Sequence, residues 1–128
     1  MPPQSYGSKV LGMKIIGAGI DIIEILRIKT IAKRTPRFLA KVFSQEEIKY
    51  CRARGKNMWQ HFAVRFAAKE AVWKSLSNPE LPLKRISVKN TPQGKPEVFI
   101  RGKKAGNIHL SLSHSDHYAV AQAITVKK

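Results

Sequence analysis

The chain contains one cysteine and only eight acidic residues among its 128. The lone Cys51 excludes an internal disulfide and gives no start to a thiolate metal cluster, so a reducing, cytoplasmic setting is expected. No apolar run approaches the length of a membrane span. The first dozen residues lack the apolar core of a secretory signal. Met13 reads as an alternative start, which makes residues 1–12 an N-terminal extension or cloning remnant. The sequence has no internal repeat and no low-complexity tract. Its hydrophobic content of 43% is enough for a globular core, and residues 13–128 read as one domain.

Positive charge is what the chain has in excess. Twenty-four Lys and Arg give a formal net charge of +16. A field of that size attracts polyanions and makes association salt-dependent. Nucleic acid, an anionic membrane, a phosphorylated small molecule and an acidic protein all qualify. Charge alone does not choose among them.

Residues 14–20 read as a first, largely buried strand in which Gly17, Ala18 and Gly19 permit close packing, with Asp21 at or just past its end. Ile25, Ile28, Ile31 and Ala32 have helical spacing, and Arg27, Lys29, Lys33 and Arg34 make the other side basic. Pro36 ends that helix or opens a short one carrying Phe38, Leu39 and Val42. Ser44, with Glu47 three residues on, is a capping box for a helix through about Cys51. Gly55 and Asn57 break it, and the spacing predicts a long helix over about 57–76. Beyond a loop at 78–82 the period becomes that of strands, at 86–89, 96–100, 109–113 and 118–124. Val98, Phe99, Ile100, Leu110, Leu112, Val120 and Ile124 offer more apolar surface than one short sheet on one helix covers. Strand, helices, then strands is an α+β order.

Two of the eight acids fall in apolar surroundings. Asp21 interrupts the run from Ile15 to Ile23. Glu70 lies in the long helix, where Trp59, Phe62, Ala63, Phe66, Glu70 and Trp73 share one face with Glu70 near its middle. A buried carboxylate finds a cation or neutralises. Each acid also has an ordinary structural duty open to it. Asp21 can cap the next helix, for about 1 kcal/mol. Glu70 can pair with Lys74 one turn on, for about 0.3–0.5 kcal/mol. Brought together, the two carboxylates repel unless a cation lies between them. Mg²⁺ suits, since it takes one or two protein carboxylates and fills its shell with water and substrate phosphates. Arg65, Lys69 and Lys74 on the same helix are candidate phosphate-binding cations.

Other constellations are weaker. Gly17-Ala18-Gly19 begins like a dinucleotide fingerprint, but Ile22 stands where the third glycine belongs and the acid comes too early. His114 and His117 are three apart with no cysteine or carboxylate set to complete a zinc site. His114 falls at a strand end, where it can contact a phosphate, carry a proton or serve as a plain loop histidine. A nucleic-acid module would use the charge but leaves Asp21 and Glu70 unexplained, and no basic–aromatic motif is present. No helix joins a lysine-rich face to a clean apolar insertion face. Neither nucleic acid nor a membrane is expected as a partner.

Taken together, Gly19-Ile20-Asp21-Ile22-Ile23-Glu24-Ile25, Arg65-Phe66-Ala67-Ala68-Lys69-Glu70-Ala71-Val72-Trp73-Lys74, the stretch Asn90 to Pro96, and Ser111-Leu112-Ser113-His114-Ser115 resemble a known pattern. It is that of the small bacterial-type holo-acyl-carrier-protein synthases, a family of 4′-phosphopantetheinyl transferases. The resemblance covers nearly the whole chain from Met13, and its long central motif is specific.

The resemblance implies the phosphopantetheinyl transferase fold, an α+β arrangement with a small antiparallel sheet on a long helix. It also implies a homotrimer with active sites at subunit interfaces. The expected enzyme serves fatty acid and lipid biosynthesis. It moves 4′-phosphopantetheine from coenzyme A to a serine of apo acyl carrier protein and releases 3′,5′-ADP. Asp21 and Glu70 match Mg²⁺ ligands, and Glu70 with Lys74 forms the expected catalytic pair, Lys74 meeting the leaving phosphate. His114 matches a histidine that contacts the coenzyme, beside Arg65, Lys69 and Lys74. Arg27, Arg34 and Arg37 hold positions of basic residues that dock the acidic carrier protein, with Pro36 an unfamiliar neighbour.

Overall fold

The computed structural model describes residues 13–128, so the extension expected at 1–12 lies outside the described residues. The order of elements is β1 (Ile15–Glu24), α1 (Ile25–Arg34), α2 (Phe38–Val42), α3 (Gln45–Arg52) and α4 (Met58–Ser75), then β2 (Ile86–Asn90), β3 (Pro96–Ile100), β4 (Lys103–Lys104), β5 (Ile108–His114) and β6 (Tyr118–Val126). Short 3-10 turns at Gly55–Asn57 and Leu83–Arg85 precede α4 and β2. The capping box forms as read: Ser44 Oγ accepts from Glu47 N–H, and the Glu47 carboxylate accepts from Ser44 N–H.

The architecture is α+β, with antiparallel pairing throughout, but the strands divide into two small sheets rather than one. One has the order β1-β6-β5 and the other β2-β3-β4. β1 runs further than the strand expected at 14–20. Asp21 is not past the strand's end but inside it, because β6 supplies pairing partners as far as Tyr118 opposite Glu24. Alternation then turns Gly17, Gly19, Asp21 and Ile23 inward and leaves Ala18, Ile20, Ile22 and Glu24 outward.

α4 is the axis on which both sheets pack. Ala67, Ala68, Ala71 and Val72 meet Ile86, Val88, Val98, Ala121 and Ala123 in one core. Phe62 and Ala63 meet Ile28, Phe43, Cys51 and Ala119 in a second core nearer the helix start. A helix enclosed on several sides needs no single apolar stripe. The face expected from sequence is accordingly wrong in its centre. Phe62 and Ala63 are fully buried, whereas Trp59, Phe66, Glu70 and Trp73 lie half-buried. Glu70 therefore stands at the margin of the core. Burial of each large side chain contributes roughly 1.5–3 kcal/mol, and Phe43 meets Phe62 edge-on at 5.1 Å between ring centres.

Candidate active site

Two glycines set the distance between β1 and α4. A Cβ on Gly17 would overlap the Ser75 carbonyl oxygen, and one on Gly19 would overlap that of Ala71. Any side chain at either position would push the strand off the helix. With glycine at both, the backbone of β1 lies directly on the last two turns of α4. The inward-facing Asp21 then arrives beside Glu70 and Lys74.

The structure thus brings together three of the residues picked out from sequence. Lys74 Nζ lies 3.3 Å from Asp21 Oδ1 and donates to the Ile20 carbonyl at 2.9 Å. Burial pushes the Glu70 carboxyl above its ordinary value, the Asp21 charge adds to that rise, and Lys74 opposes it. Asp21 neither caps α1, whose first turn has no side-chain cap bond, nor idles on the surface. A carboxylate whose ionisation is made costly by burial and by a neighbouring carboxylate fits a hard divalent cation, whose charge removes that cost. Among the described residues no group of three or more His, Cys, Asp or Glu side chains gathers to hold a metal. An ion here would complete its shell from water and substrate oxygens.

Lys69 corrects the sequence reading. It was expected to bind the coenzyme, but its side chain is fully buried and its ammonium is 2.7 Å from Glu47 Oε1. It also donates to the carbonyls of Leu83 and Ile86, so all three N–H donors are used. Burial pulls its pKa down while the Glu47 carboxylate opposes that. Glu47 Oε2 in turn accepts from Val88 N–H at 3.0 Å. This pair ties α3, α4 and β2 together inside the molecule and offers no cation to a ligand.

Arg65 is also buried, and not beside the carboxylates. Its guanidinium lies 4.2 Å from the centre of the Tyr50 ring, and its Nε has no hydrogen-bond partner. It lines a cleft of about 210 Å³ with Glu46, Tyr50, Val88, Lys89 and Asn90. That cleft shares no lining residue with Asp21, Glu70 and Lys74.

His114, at the end of β5, meets Gln60 of α4, a residue the sequence reading missed; their Nε2 atoms are 2.9 Å apart. Gln60 also lines a cleft of about 440 Å³ with Glu24, Lys29, Lys56, Asp116 and His117, beside the start of α1. Arg27 and Arg34 are exposed on α1, and exposed Arg37 precedes α2. None of the three has an ion-pair partner among the described residues. Cys51 is buried, which pushes its thiol up to about 12 and leaves it unreactive. No helix among the described residues is long and apolar enough to cross a membrane.

Comparison with known proteins identifies relatives of the chain in sequence and in fold. Residues 17–123 match the model of the 4′-phosphopantetheinyl transferase superfamily. A holo-[acyl-carrier-protein] synthase from Thermodesulfovibrio yellowstonii is 45% identical over 109 residues, covering 84% of this chain and 95% of that one. Another from Anoxybacillus flavithermus is 38% identical over 114 residues, covering 86% and 94%. Among solved structures, the holo-(acyl-carrier-protein) synthase of Bacillus anthracis in complex with CoA (3′,5′-ADP) superposes with a TM-score of 0.77. It is 33% identical and the match covers 91% of this chain and 99% of that one.

Proposed function

The chain belongs to the 4′-phosphopantetheinyl transferase superfamily, among the holo-[acyl-carrier-protein] synthases, and on that footing we propose its reaction. It transfers 4′-phosphopantetheine from coenzyme A to a serine of apo acyl carrier protein, in fatty acid biosynthesis. The observation that carries this reading is the meeting of Asp21, Glu70 and Lys74 where β1 lies against α4.

In the reaction the serine oxygen bonds to the phosphorus that carries pantetheine. The pyrophosphate P–O bond breaks, the serine proton is lost, and 3′,5′-ADP departs with its electron pair. Bound Mg²⁺ supplies neutralisation of charge on the phosphate oxygens. Asp21 and Glu70 are the residues that would hold it, and Lys74 is placed to meet the leaving oxygen. The exposed Arg27, Arg34 and Arg37 face an acidic carrier protein, for which a net charge of +16 favours fast encounter.

Within one chain Arg65 and the carboxylates occupy separate places, yet both suit one pyrophosphate-bearing ligand. A homotrimer resolves this by joining the Arg65 cleft of one copy to the carboxylates of the next. The outward face of β1 supports such assembly: Ile20 is 62% exposed and Ile22 65% exposed, side by side with Gln122 and Val120 of β6. The catalytic unit is a single domain from Met13 onward, working in the cytoplasm.

The test is mass spectrometry of apo acyl carrier protein incubated with coenzyme A, Mg²⁺ and this protein. The carrier should gain the mass of one phosphopantetheine group, and the gain should vanish when a chelator replaces the metal. A carrier protein of unchanged mass at stoichiometric enzyme would overturn the reading.

A further inference from the structure

We propose that Gln60 is a positioning residue for His114, fixing which ring nitrogen carries the proton and therefore which one meets an anionic ligand. His114 closes β5, where its backbone is held in register opposite Ala119. Gln60 projects from the first turn of α4. Strand pairing and helix packing thus bring the two side chains together from 54 residues apart, at 2.9 Å between the Nε2 atoms.

The chemistry of that contact is directional. An amide nitrogen only donates, so the His114 Nε2 accepts through its lone pair, and the proton of the neutral ring resides on Nδ1. An unconstrained histidine ring prefers the other tautomer, with the proton on Nε2. Gln60 therefore reverses the ring's own preference. The consequence is a donor, Nδ1–H, on the side of the ring that Gln60 does not cover. The opposite amide orientation would place the proton on Nε2 and turn a lone pair toward the ligand, which a phosphate oxygen repels. The +16 net charge of the chain favours the approach of such an anion, whereas the cleft beside Gln60 is itself balanced, Lys29 and Lys56 facing Glu24 and Asp116.

That the anion belongs to coenzyme A rests on the function proposed above; the tautomer does not. Long-range ¹H–¹⁵N spectra of the histidine rings, taken on the full chain at about pH 8.5 where imidazole is neutral, read the protonated nitrogen directly. His114 should carry its proton on Nδ1. In Gln60→Leu, which keeps the bulk and removes the donor, the proton should move to Nε2. In Gln60→Glu, whose carboxylate only accepts, it should also sit on Nε2. The KM for coenzyme A in Gln60→Leu should rise about tenfold with kcat within about twofold, as expected for loss of one hydrogen bond in ligand binding. A wild-type ring protonated on Nε2, or an unchanged tautomer in Gln60→Leu, would overturn the proposal. A protein inactive toward carrier protein but showing the tautomer shift would count against the transfer reaction and for the role of Gln60.

Discussion

Lys74 stands 3.3 Å from Asp21 and donates to the carbonyl of Ile20, the residue before it. The lysine side chain is 46% exposed, the aspartate 17%. A pair as open as this contributes at most about 1 kcal/mol, so little restrains the ammonium when a phosphate approaches. Gly19 places that pair: its missing Cβ lets β1 lie against the turn of α4 that carries Ala71 and Lys74.

If Asp21 and Glu70 share one cation, removal of either should abolish the same function. Asp21→Ala and Glu70→Ala are each expected to cut kcat by at least about a hundredfold, several kcal/mol of lost charge stabilisation. Both positions lie at the margin of the core, so circular dichroism should be unchanged. Near-normal turnover in both variants at saturating Mg²⁺ would remove the metal site from consideration.

The raised carboxyl of Glu70 gives a pH dependence with a definite sign. Between its ordinary value of 4.5 and the raised one, the folded state binds more protons than the unfolded state. Its contribution to stability is therefore fully present below that window and lost as pH rises through it. A divalent cation requires the carboxylate, so metal stabilisation should grow over the same range. Mg²⁺ should raise Tm more at about pH 7.5 than at about pH 5. Glu70→Gln should abolish the response, and an equal response at both pH values would show that Glu70 is not a ligand.

Glu47 and Lys69 form the fully buried counterpart to the open pair at the site. Removing one partner strands a charge, and Glu47→Ala or Lys69→Ala should each cost about 3–5 kcal/mol. Glu47→Leu combined with Lys69→Met should recover part of that loss, because the double change buries no charge at all. Urea denaturation measures all three. Single losses below about 1 kcal/mol would mean that water reaches the pair.

How much was legible in the sequence follows from the range of each cause. The capping box at Ser44, the span of α4 and the positions of β2, β3, β5 and β6 depend on neighbours a few residues apart, and they appear close to where expected. The sequence places Asp21 at or just past the end of β1, whereas the strand runs on to Glu24, because its length is decided by β6, about a hundred residues on. Lys69 looked like a ligand-binding cation because its partner, Glu47, had already been given a complete local role as a cap. Val98, Leu110 and Leu112 looked like surplus apolar surface, yet Val98 is buried and both leucines pack on the core. The apolar face left open belongs instead to β1, at Ile20 and Ile22. Gln60 carried no local signal at all; only the fold brings it to His114.

Charge reversal on α1 should separate the two substrates. Arg27→Glu or Arg34→Glu is expected to raise the KM for carrier protein about tenfold or more, and the KM for coenzyme A less than about twofold. These arginines are exposed on one helix seven residues apart, far enough in sequence to share a face, and rim charges act mainly on association. Wild-type KM for carrier protein should also rise with salt. Equal effects on both substrates would place α1 at the coenzyme instead.

Assembly gives the last and most direct expectation. Alternation along β1 turns Ile20 and Ile22 outward, and their neighbours on β6 across the ladder are Gln122 and Val120. Such a face is costly in water and has no covering element among the described residues. Closing it in a threefold ring would bury the isoleucines and supply each carboxylate site with the Arg65 cleft of a neighbour. The +16 charge of each chain opposes association, so the contact must be chiefly apolar. Sedimentation equilibrium should give three times the 14.4 kDa chain mass. Ile20→Asp with Ile22→Asp should give monomers that keep their circular dichroism, since both side chains point away from the core. Those monomers should lose transfer activity although Asp21, Glu70 and Lys74 remain. An active monomer would confine the whole site to one chain and leave Arg65 outside it.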